Sequence, residues 1–376
     1  MLANSSPHDT PAIGYRMPAE WEPQSGVQLT WPHANTDWAP MLDDITVTYC
    51  EIAREIEQRE PLLIVAPEGT PVGRPFMAYP TDDTWARDHG FISLIQTLQT
   101  GSGKGEGIHL DFKFNDRGQQ LLLDFKFNGW GEKFPAEQDN AINRRLYDAG
   151  CLHGEYADHL DFVLEGGSIE SDGRGTIFTT SCCLLAPHRN QPLTKEQIEE
   201  RLKAYLGAER VLWIDHGHLA GDDTDGHIDT LVRVCPDDTL LYIRCDDPTD
   251  EHYDDLRLME KDLQAFRTLD GSPYRLLPLP LPHPIYDEAA DSSLFNHHSS
   301  IKDRLPATYA NFLIINGAVL CPTYNQPDLD TEALRTIGEA FPDRDIVPID
   351  CRSIIRQHGS LHCCTMQFPE GVFKAR

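Results

Sequence analysis

The sequence lacks the features that would place it in a membrane, on a nucleic acid or around a nucleotide. No stretch approaches the roughly 18 apolar residues of a membrane helix, and no basic start leads into an apolar run. GxGxxG and GxxxxGK[ST] phosphate loops do not occur. Basic residues are scarce, with 32 Lys+Arg against 60 Asp+Glu and a formal net charge of -28, which repels nucleic acid and anionic lipid. We therefore expect a cytoplasmic protein without nucleic-acid or membrane partners, whose acidity either attracts a small cationic substrate or simply keeps it soluble.

The ten cysteines include no CxxC pair, and the long chain has no secretory signal, so we expect free thiols rather than disulfides. With 376 residues, 40% of them hydrophobic, the chain can bury a large core. No linker is long enough to divide it. We expect one catalytic domain over residues 1–376 and leave homo-oligomer formation open.

A strand, helix and second strand recur five times along the chain. The clearest helix has a capping box at Thr194 and Gln197 and ends before Gly207. In order of strand, helix and strand, the copies are Val27 to Trp31, Ile45 to Glu57 and Leu62 to Ala66; Gln120 to Phe127, Asn140 to Ala149 and Phe162 to Leu164; Thr176 to Leu185, Lys195 to Leu206 and Val211 to Ile214; Leu240 to Ile243, Leu256 to Leu269 and Arg275 to Leu277; and Asn311 to Leu320, Thr331 to Phe341 and Ile346 to Ile349.

Five such units suggest a radial arrangement with the strands lining the centre, although an open doubly wound sheet would alternate in the same way. Between the first and second copies, the sequence DFKFN occurs twice, at Asp111 to Asn115 and Asp124 to Asn128. We expect a β-hairpin there, turning at Asn115 to Gly118 after the glycine-rich stretch Gly101 to Gly107.

Chemically informative residues follow the second strand of four copies, so a radial arrangement would bring them to one pocket. His227 and Asp229 are two residues apart in Gly226-His-Ile-Asp229, where a carboxylate can hold the imidazole in one tautomer for acid and base catalysis. A purely structural hydrogen bond or a metal site with His216 and His218 would use the same residues.

A thiol and a carboxylate provide the remaining candidate chemistry. Cys363 is a strong nucleophile once ionised, but its ordinary pKa requires a nearby positive charge such as a bound guanidinium. Asp88 can accept paired N–H bonds from such a planar cation, and Trp85 can cover its face. Glu165 and Gly359 complete the predicted substrate-binding residues. Each of these residues, taken alone, is equally an ordinary core or surface residue.

Together and in order, these motifs resemble the agmatine deiminases and the Porphyromonas-type peptidylarginine deiminases. The resemblance covers about Gly14 to Pro369, and its motifs are Met17-Pro-Ala-Glu-Trp-Glu-Pro23, Trp85-Ala-Arg-Asp88, Leu164-Glu-Gly-Gly-Ser168, Gly226-His-Ile-Asp229, Asn311-Phe-Leu-Ile-Ile-Asn-Gly317 and His362-Cys363. It implies the five-bladed pseudo-symmetric α/β propeller, or pentein fold, of the guanidino-group-modifying enzymes.

The resemblance also implies the roles of the candidate residues. Cys363 matches the family's nucleophile, and His227 its general acid and base. The carboxylates that bind the guanidinium fall on Asp88 and Asp229. No metal or organic cofactor is implied, and the reaction would pass through a covalent thiouronium on sulfur.

The chain departs from typical agmatine deiminases at positions that bear on recognition of the substrate's tail, the part beyond the guanidinium. His89-Gly90-Phe91 stands where Thr-Gly-Pro is usual, Ser360 replaces Gly or Asn, and Cys364 replaces an aliphatic residue. We expect agmatine hydrolysis to N-carbamoylputrescine and ammonia, with deimination of free or peptide-bound arginine as the close alternative. A non-catalytic guanidinium-binding protein is a further hypothesis, as is a metal-dependent amidohydrolase built on His216, His218, His227 and Asp229.

Overall fold

A computed structural model describes residues 12–99, 120–287 and 304–373 of the chain. Its strands form five sheets of three or four strands each. The strands are β1 (Ala12–Arg16), β2 (Gln24–Thr30), β3 (Leu62–Ala66), β4 (Met77–Ala78), β5 (Ile92–Gln99), β6 (Leu121–Lys126), β7 (Glu155–Val163), β8 (Ile169–Ser171), β9 (Thr176–Thr180), β10 (Arg210–Ile214), β11 (Val232–Cys235), β12 (Thr239–Arg244), β13 (Arg275–Pro280), β14 (Leu313–Ile315), β15 (Ala318–Thr323), β16 (Asp345–Asp350) and β17 (Thr365–Pro369).

All five sheets share one pattern of strand pairing. A central strand pairs antiparallel with one neighbour and parallel with the other, as β12 does between β11 and β13. The equivalent trios are β5-β6-β7, β8-β9-β10, β14-β15-β16 and β17-β2-β3. The parallel pair corresponds to the predicted repeat, and the antiparallel strand is a third member that the repeat did not include.

The long helices connect the parallel strands and bury one face each. The helices are α1 (Leu42–Glu57), α2 (Ala86–His89), α3 (Gly129–Glu132), α4 (Ile142–Asp148), α5 (Ser181–Leu184), α6 (Lys195–Leu206), α7 (Tyr253–Ala265) and α8 (Pro327–Ala340). The predicted capping box of α6 is confirmed, and Gly207 ends the helix with φ 64°. Within the three described ranges, no helix combines the length and the apolar character needed to cross a membrane.

Several predicted boundaries were wrong. The segment predicted as one strand from Asn311 to Leu320 is a hairpin, because Asn316 and Gly317 form a two-residue turn between β14 and β15. The strand predicted to end at Leu185 stops at Thr180, whose hydroxyl caps α5 by accepting from the Cys183 backbone N–H.

Strand β7 and helices α7 and α8 also begin earlier than the apolar pattern suggested. Strand β7 lies at a sheet edge and is largely exposed until its last two residues, so only its apolar end was visible in the sequence. The two helices open with acidic first turns, which favour a helix start without adding to its apolar face. The predicted turn at Asn115 to Gly118 and the stretch Gly101 to Gly107 lie outside the described residues.

A short turn of helix immediately precedes the first strand in four of the trios. These turns are α2 and the 3₁₀ segments Gly166–Ser168, Ile228–Thr230 and His362–Cys364. In β14-β15-β16 the corresponding position is occupied by Asn311, just before β14. Each predicted catalytic residue lies in, or directly beside, one of these turns.

Candidate active site

The short turns at the strand entrances pack against one another. Helix α2 contacts both Gly166–Ser168 and His362–Cys364, and Gly166–Ser168 contacts Ile228–Thr230. Segments separated by up to some 270 residues of sequence therefore meet in one place. The side chains of Asp88, His227, Asp229 and Cys363 are buried there.

Three of these side chains converge on Gly167. A Cβ atom at Gly167 would lie 2.6 Å from His227 Nδ1, 2.9 Å from Asp88 Oδ1 and 3.1 Å from Asp229 Oδ2. Glycine is therefore required at this position, because any side chain would occupy the space between the imidazole and the two carboxylates. The structure brings together the predicted acid and base and both predicted clamps.

Cys363 joins this group through Asp229 and Asn311. Its Sγ lies 3.8 Å from Asp229 Oδ2 and 3.3 Å from the amide nitrogen Nδ2 of Asn311. The side-chain oxygen Oδ1 of Asn311 accepts from the backbone N–H of His362 at 2.9 Å. Asn311 thus fixes both the thiol and the turn that carries it.

The two clamp carboxylates are held differently. Asp88 accepts from the Trp130 indole at 2.9 Å and from the Gly167 backbone N–H at 3.0 Å, so both of its oxygens have protein donors. Asp229 has one oxygen, Oδ2, 2.8 Å from His362 Nδ1, while its other oxygen is buried and has no hydrogen-bond partner in the part of the chain that the structure describes. A buried carboxylate oxygen without a donor is costly, so Asp229 is suited to receive one from a ligand.

His227 lies between two carboxylates but is hydrogen-bonded to neither. Its Nδ1 is 3.6 Å from Asp88 and its Nε2 is 3.6 Å from Glu165. Burial alone would lower the pKa of His227, but the charge of Asp88 and the nearby Cys183 and Glu165 side chains raise it well above its usual range. This favours the protonated ring, and neither of its nitrogens has a hydrogen-bond partner among the described residues.

Glu165 lies between an arginine and the imidazole. Both of its oxygens face the Arg189 Nε, at 2.9 and 3.2 Å, and one also faces His227. Burial would raise the pKa of Glu165, but the nearby His227 ring and the Arg189 guanidinium lower it. The substrate contact of Glu165 stays a prediction.

The pKa values of Cys363, Asp88 and Asp229 are shifted in different directions. Burial raises the pKa of the Cys363 thiol well above its usual range, and the carboxylates of Asp229 and Asp88 raise it further. Burial likewise raises the pKa of Asp88. It would also raise that of Asp229, but the hydrogen bond and charge of His362 outweigh it, so the pKa of Asp229 is lowered. These directions favour a neutral Cys363 thiol beside an ionised Asp229.

Trp85 and Gly359 form a pair at the edge of this group. The Trp85 indole donates to Asp83 at 2.9 Å, and a Cβ atom at Gly359 would lie 2.2 Å from the Trp85 ring. Gly359 makes room for the indole, and its substrate contact stays a prediction. Trp85 remains a predicted substrate contact, with its ring centroid 6.5 Å from that of Trp130.

Cys364 lies in a different environment from its neighbour Cys363. Its Sγ points back to the Ser360 carbonyl oxygen at 3.4 Å, and it is completely buried. Burial raises its pKa to about 12. It is therefore a packed, neutral thiol turned away from Asp229.

Asn311, His362 and Trp130 were missed as site residues by the sequence reasoning. Asn311 had a detectable signal, since candidate residues followed four of the five copies. The segment after the remaining copy, which includes Asn311, was interpreted as the start of a strand. His362 was quoted only as the neighbour of Cys363. Trp130 had no signal, because it lies in α3, where Trp130 and Gly131 adopt left-handed φ and ψ angles.

The predicted metal alternative does not assemble. His216 is 2.8 Å from Asp262 and His218 is 2.7 Å from Asp255. Among the described residues, two buried groups bring three ligand atoms within 4.8 Å of one another, and neither includes His216 or His218: these are Glu165, Cys183 and His227, and Glu20, Glu170 and His362. In both groups an arginine already binds a carboxylate.

Comparison with known proteins gives one consistent result. Residues 16–369 match the family model of the Porphyromonas-type peptidyl-arginine deiminases. A Selenomonas ruminantium protein, provisionally named an agmatine deiminase, is 34% identical over 98% of this chain and 99% of its own length. A crystal structure from Porphyromonas gingivalis, provisionally named an arginine deiminase, is 46% identical, with a TM-score of 0.81 over 96% of this chain and 100% of that one. A substrate-bound agmatine deiminase of C. jejuni is 33% identical, with a TM-score of 0.80 over 98% of this chain and 99% of that one.

Proposed function

The chain belongs to the Porphyromonas-type peptidyl-arginine deiminase family, and from that premise we propose that it is an agmatine deiminase. It hydrolyses the guanidinium of agmatine to N-carbamoylputrescine and ammonia. The observation that supports this most strongly is the convergence of His227, Asp88 and Asp229 on the space beside Gly167, with the Cys363 sulfur 3.8 Å from Asp229.

A guanidinium fits the charges of this space. Asp88 and Asp229 approach it with carboxylate oxygens, and a planar cation offers N–H donors along its edges. Its positive charge would cancel the field that keeps the Cys363 thiol protonated. Substrate binding itself thus favours the thiolate, and an empty enzyme keeps its nucleophile unreactive.

The reaction then proceeds in two halves. Cys363 first gives its thiol proton to solvent, and the resulting thiolate attacks the guanidinium carbon. His227 gives its proton to the departing nitrogen, which leaves as ammonia. A thiouronium remains on sulfur. Water attacks its carbon, and His227 takes one proton from that water. The carbon–sulfur bond then breaks to release the ureido product, and the second proton of the water passes to the departing sulfur, which regenerates the Cys363 thiol. Glu165 and Asp88, on opposite sides of the ring, stabilise its protonated form.

The arginines near the site bear on the choice between agmatine, which has no carboxylate, and arginine, which has one. Arg189 is paired with Glu165 and Asp225, and Arg233 with Glu20 and Glu170. Within the described ranges, these two buried arginines are occupied and do not offer a free partner for the carboxylate of arginine. A third buried arginine beside the site, Arg87, lies 3.9 Å from Glu20 and has two nitrogens without a hydrogen-bond partner in the same ranges. Deimination of arginine is the second candidate, favoured by the 46% identity to the P. gingivalis protein.

The architecture follows from the same proposal. The five sheets are the blades of one pentein propeller and form a single catalytic domain, with the strand entrances meeting at its axis. Equivalent positions of the blades then supply Asp88, Glu165, His227, Asn311 and Cys363.

One assay tests the function. The protein is incubated with agmatine, arginine and a blocked arginine amide, and ammonia and ureido product are measured for each. We expect agmatine to give the highest kcat/KM, and activity to survive exhaustive chelation. A higher kcat/KM for arginine or its amide would transfer the assignment to the second candidate, and no ammonia from any of the three would refute deimination.

A further inference from the structure

The motif Met17-Pro-Ala-Glu-Trp-Glu-Pro23 is left without a role by the proposed reaction, yet its Glu20 reaches the back of the site. Glu20 Oε2 lies 2.9 Å from His362 Nε2 and 2.6 Å from Arg233 Nη2. Its other oxygen accepts from the Ile314 backbone N–H at 3.2 Å. His362 in turn lies 2.8 Å from Asp229. Glu20, His362 and Asp229 therefore form a continuous chain that ends at the predicted guanidinium clamp.

The geometry indicates which form of His362 this chain requires. Both ring nitrogens are within hydrogen-bond distance of carboxylate oxygens, and an imidazole can donate from both only when it is protonated. A neutral ring could accept from Arg233 Nη2, 3.2 Å away, but its lone pair would then face Glu20 Oε2 at 2.9 Å. The protonated ring avoids this repulsion.

The charge balance of the buried groups supports the same form. The carboxylates around His362 are Asp229, Glu20 and Glu170, which binds Arg233 at 2.6 Å. The cations are Arg233 and Arg87, the latter 3.9 Å from Glu20. Three carboxylates are balanced by two arginines and one imidazolium, whereas a neutral His362 would leave one buried negative charge uncompensated.

We propose that Glu20 and His362 are positioning residues for the reaction: Glu20 keeps His362 protonated, and His362 holds Asp229 ionised with its free oxygen facing the guanidinium. This inference rests on the proposed function for its catalytic consequence. His227, Arg233, Arg87 and Asp88 are further charged groups that act on Asp229, and the Cys363 thiol lies 3.8 Å from it.

Glu20→Gln tests the positioning role of Glu20 and His362, and the same motif provides a matched control. Glu22 lines the same cavity as Glu20, but it pairs with Arg16 and makes no hydrogen bond or ion pair with His362 among the described residues. In Glu20→Gln we expect kcat/KM to fall by roughly 10- to 100-fold, as for other supporting residues around a reactive centre. The acid limb of the kcat/KM profile should move to higher pH, because Asp229 loses a neighbouring positive charge and protonates more easily. Glu22→Gln should keep the native limb.

A second variant covers the case in which Glu20→Gln does not fold. His362→Asn can place an amide N–H near the position of Nδ1 and should retain more activity than His362→Leu. Equal losses in these two variants would overturn the proposal, and so would a native pH profile in a folded Glu20→Gln.

A readout without turnover separates this inference from the proposed function. Nitrogen NMR of labelled histidines, with His362 assigned through the Asn variant, should show both ring nitrogens protonated at pH 7 in the native protein and only one in Glu20→Gln. If that pattern appears while no guanidino compound yields ammonia, the proposed function fails and the positioning role of Glu20 and His362 stands. If the enzyme is active but the ring is singly protonated in the native protein, the positioning role fails and the proposed function stands.

Discussion

The site has two halves that contain the same four kinds of group in the same order. One half, which we call the loose half, runs Asp88, His227, Glu165 and Arg189. The other, the tight half, runs Asp229, His362, Glu20 and Arg233. In each, a carboxylate faces the centre, an imidazole lies next to it, a second carboxylate lies on the other side of the imidazole, and an arginine neutralises that second carboxylate.

The halves differ in the distances around the imidazole. His227 is 3.6 Å from each of its carboxylates, while His362 is 2.8 and 2.9 Å from its own. A ring with short bonds on both sides has little reason to release a proton, whereas a ring with no bonded partner can give one to a ligand. We infer that the same set of groups serves as a proton donor in the loose half and as a fixed charge in the tight half.

The largest expected effect comes from removing the group between the halves. Cys363→Ala should lose turnover by on the order of 10⁴-fold or more, because no other nucleophile can form the covalent intermediate. Cys364→Ala is its control and should keep most of the native rate, since Cys364 faces Ser360 instead of the centre. Single-turnover rates with agmatine measure both, and comparable losses would contradict the assignment of the nucleophile.

Breaking the loose half at its clamp should cost nearly as much. In Asp88→Asn, one amide position becomes a donor and faces either the Trp130 indole or the Gly167 N–H, which are donors themselves. The variant also loses a charge-assisted contact with the substrate, so we expect kcat/KM to fall roughly 10²- to 10³-fold. A thermal melt near the native midpoint would show that the fold survives, and a near-native rate would argue against the clamp.

Filling the space where the halves meet should have a somewhat smaller effect. The Cβ of Gly167→Ala would approach His227 Nδ1 to 2.6 Å and both clamps to about 3 Å, displacing them from the guanidinium. Such displacements cost about 10²-fold in rate. Gly338→Ala, in α8, is the matched control, since that Cβ would meet only Ile346 at an ordinary 3.5 Å. Unchanged kinetics in Gly167→Ala would mean that substrate does not bind between the halves.

The sequence predicts the loose half better than the tight one, for a physical reason. Periodicity located most helices and parallel strands, because burial of one face leaves a repeating apolar pattern. Asp88, His227 and Asp229 were visible because reactive residue types stood at strand ends. The tight half depends on Glu20 meeting His362 across 342 residues, and no local pattern records such a pairing. The repeat likewise did not include the antiparallel third strand: β8 has only three residues, and β14 was merged with β15 into one predicted strand.

The smallest effect should distinguish the halves most directly. Glu165→Gln removes a charge that raises the pKa of His227, so that pKa should fall. Because His227 must be protonated to release ammonia, the alkaline limb of kcat should then move to lower pH, with about a 10-fold loss at the pH optimum. Asp225→Asn is the control: it also removes an Arg189 partner, at 2.6 Å, but does not face the imidazole. If the alkaline limb moved equally in both variants, the shift would reflect the loss of Arg189 pairing. That result would contradict the inference that the loose half serves as the proton donor.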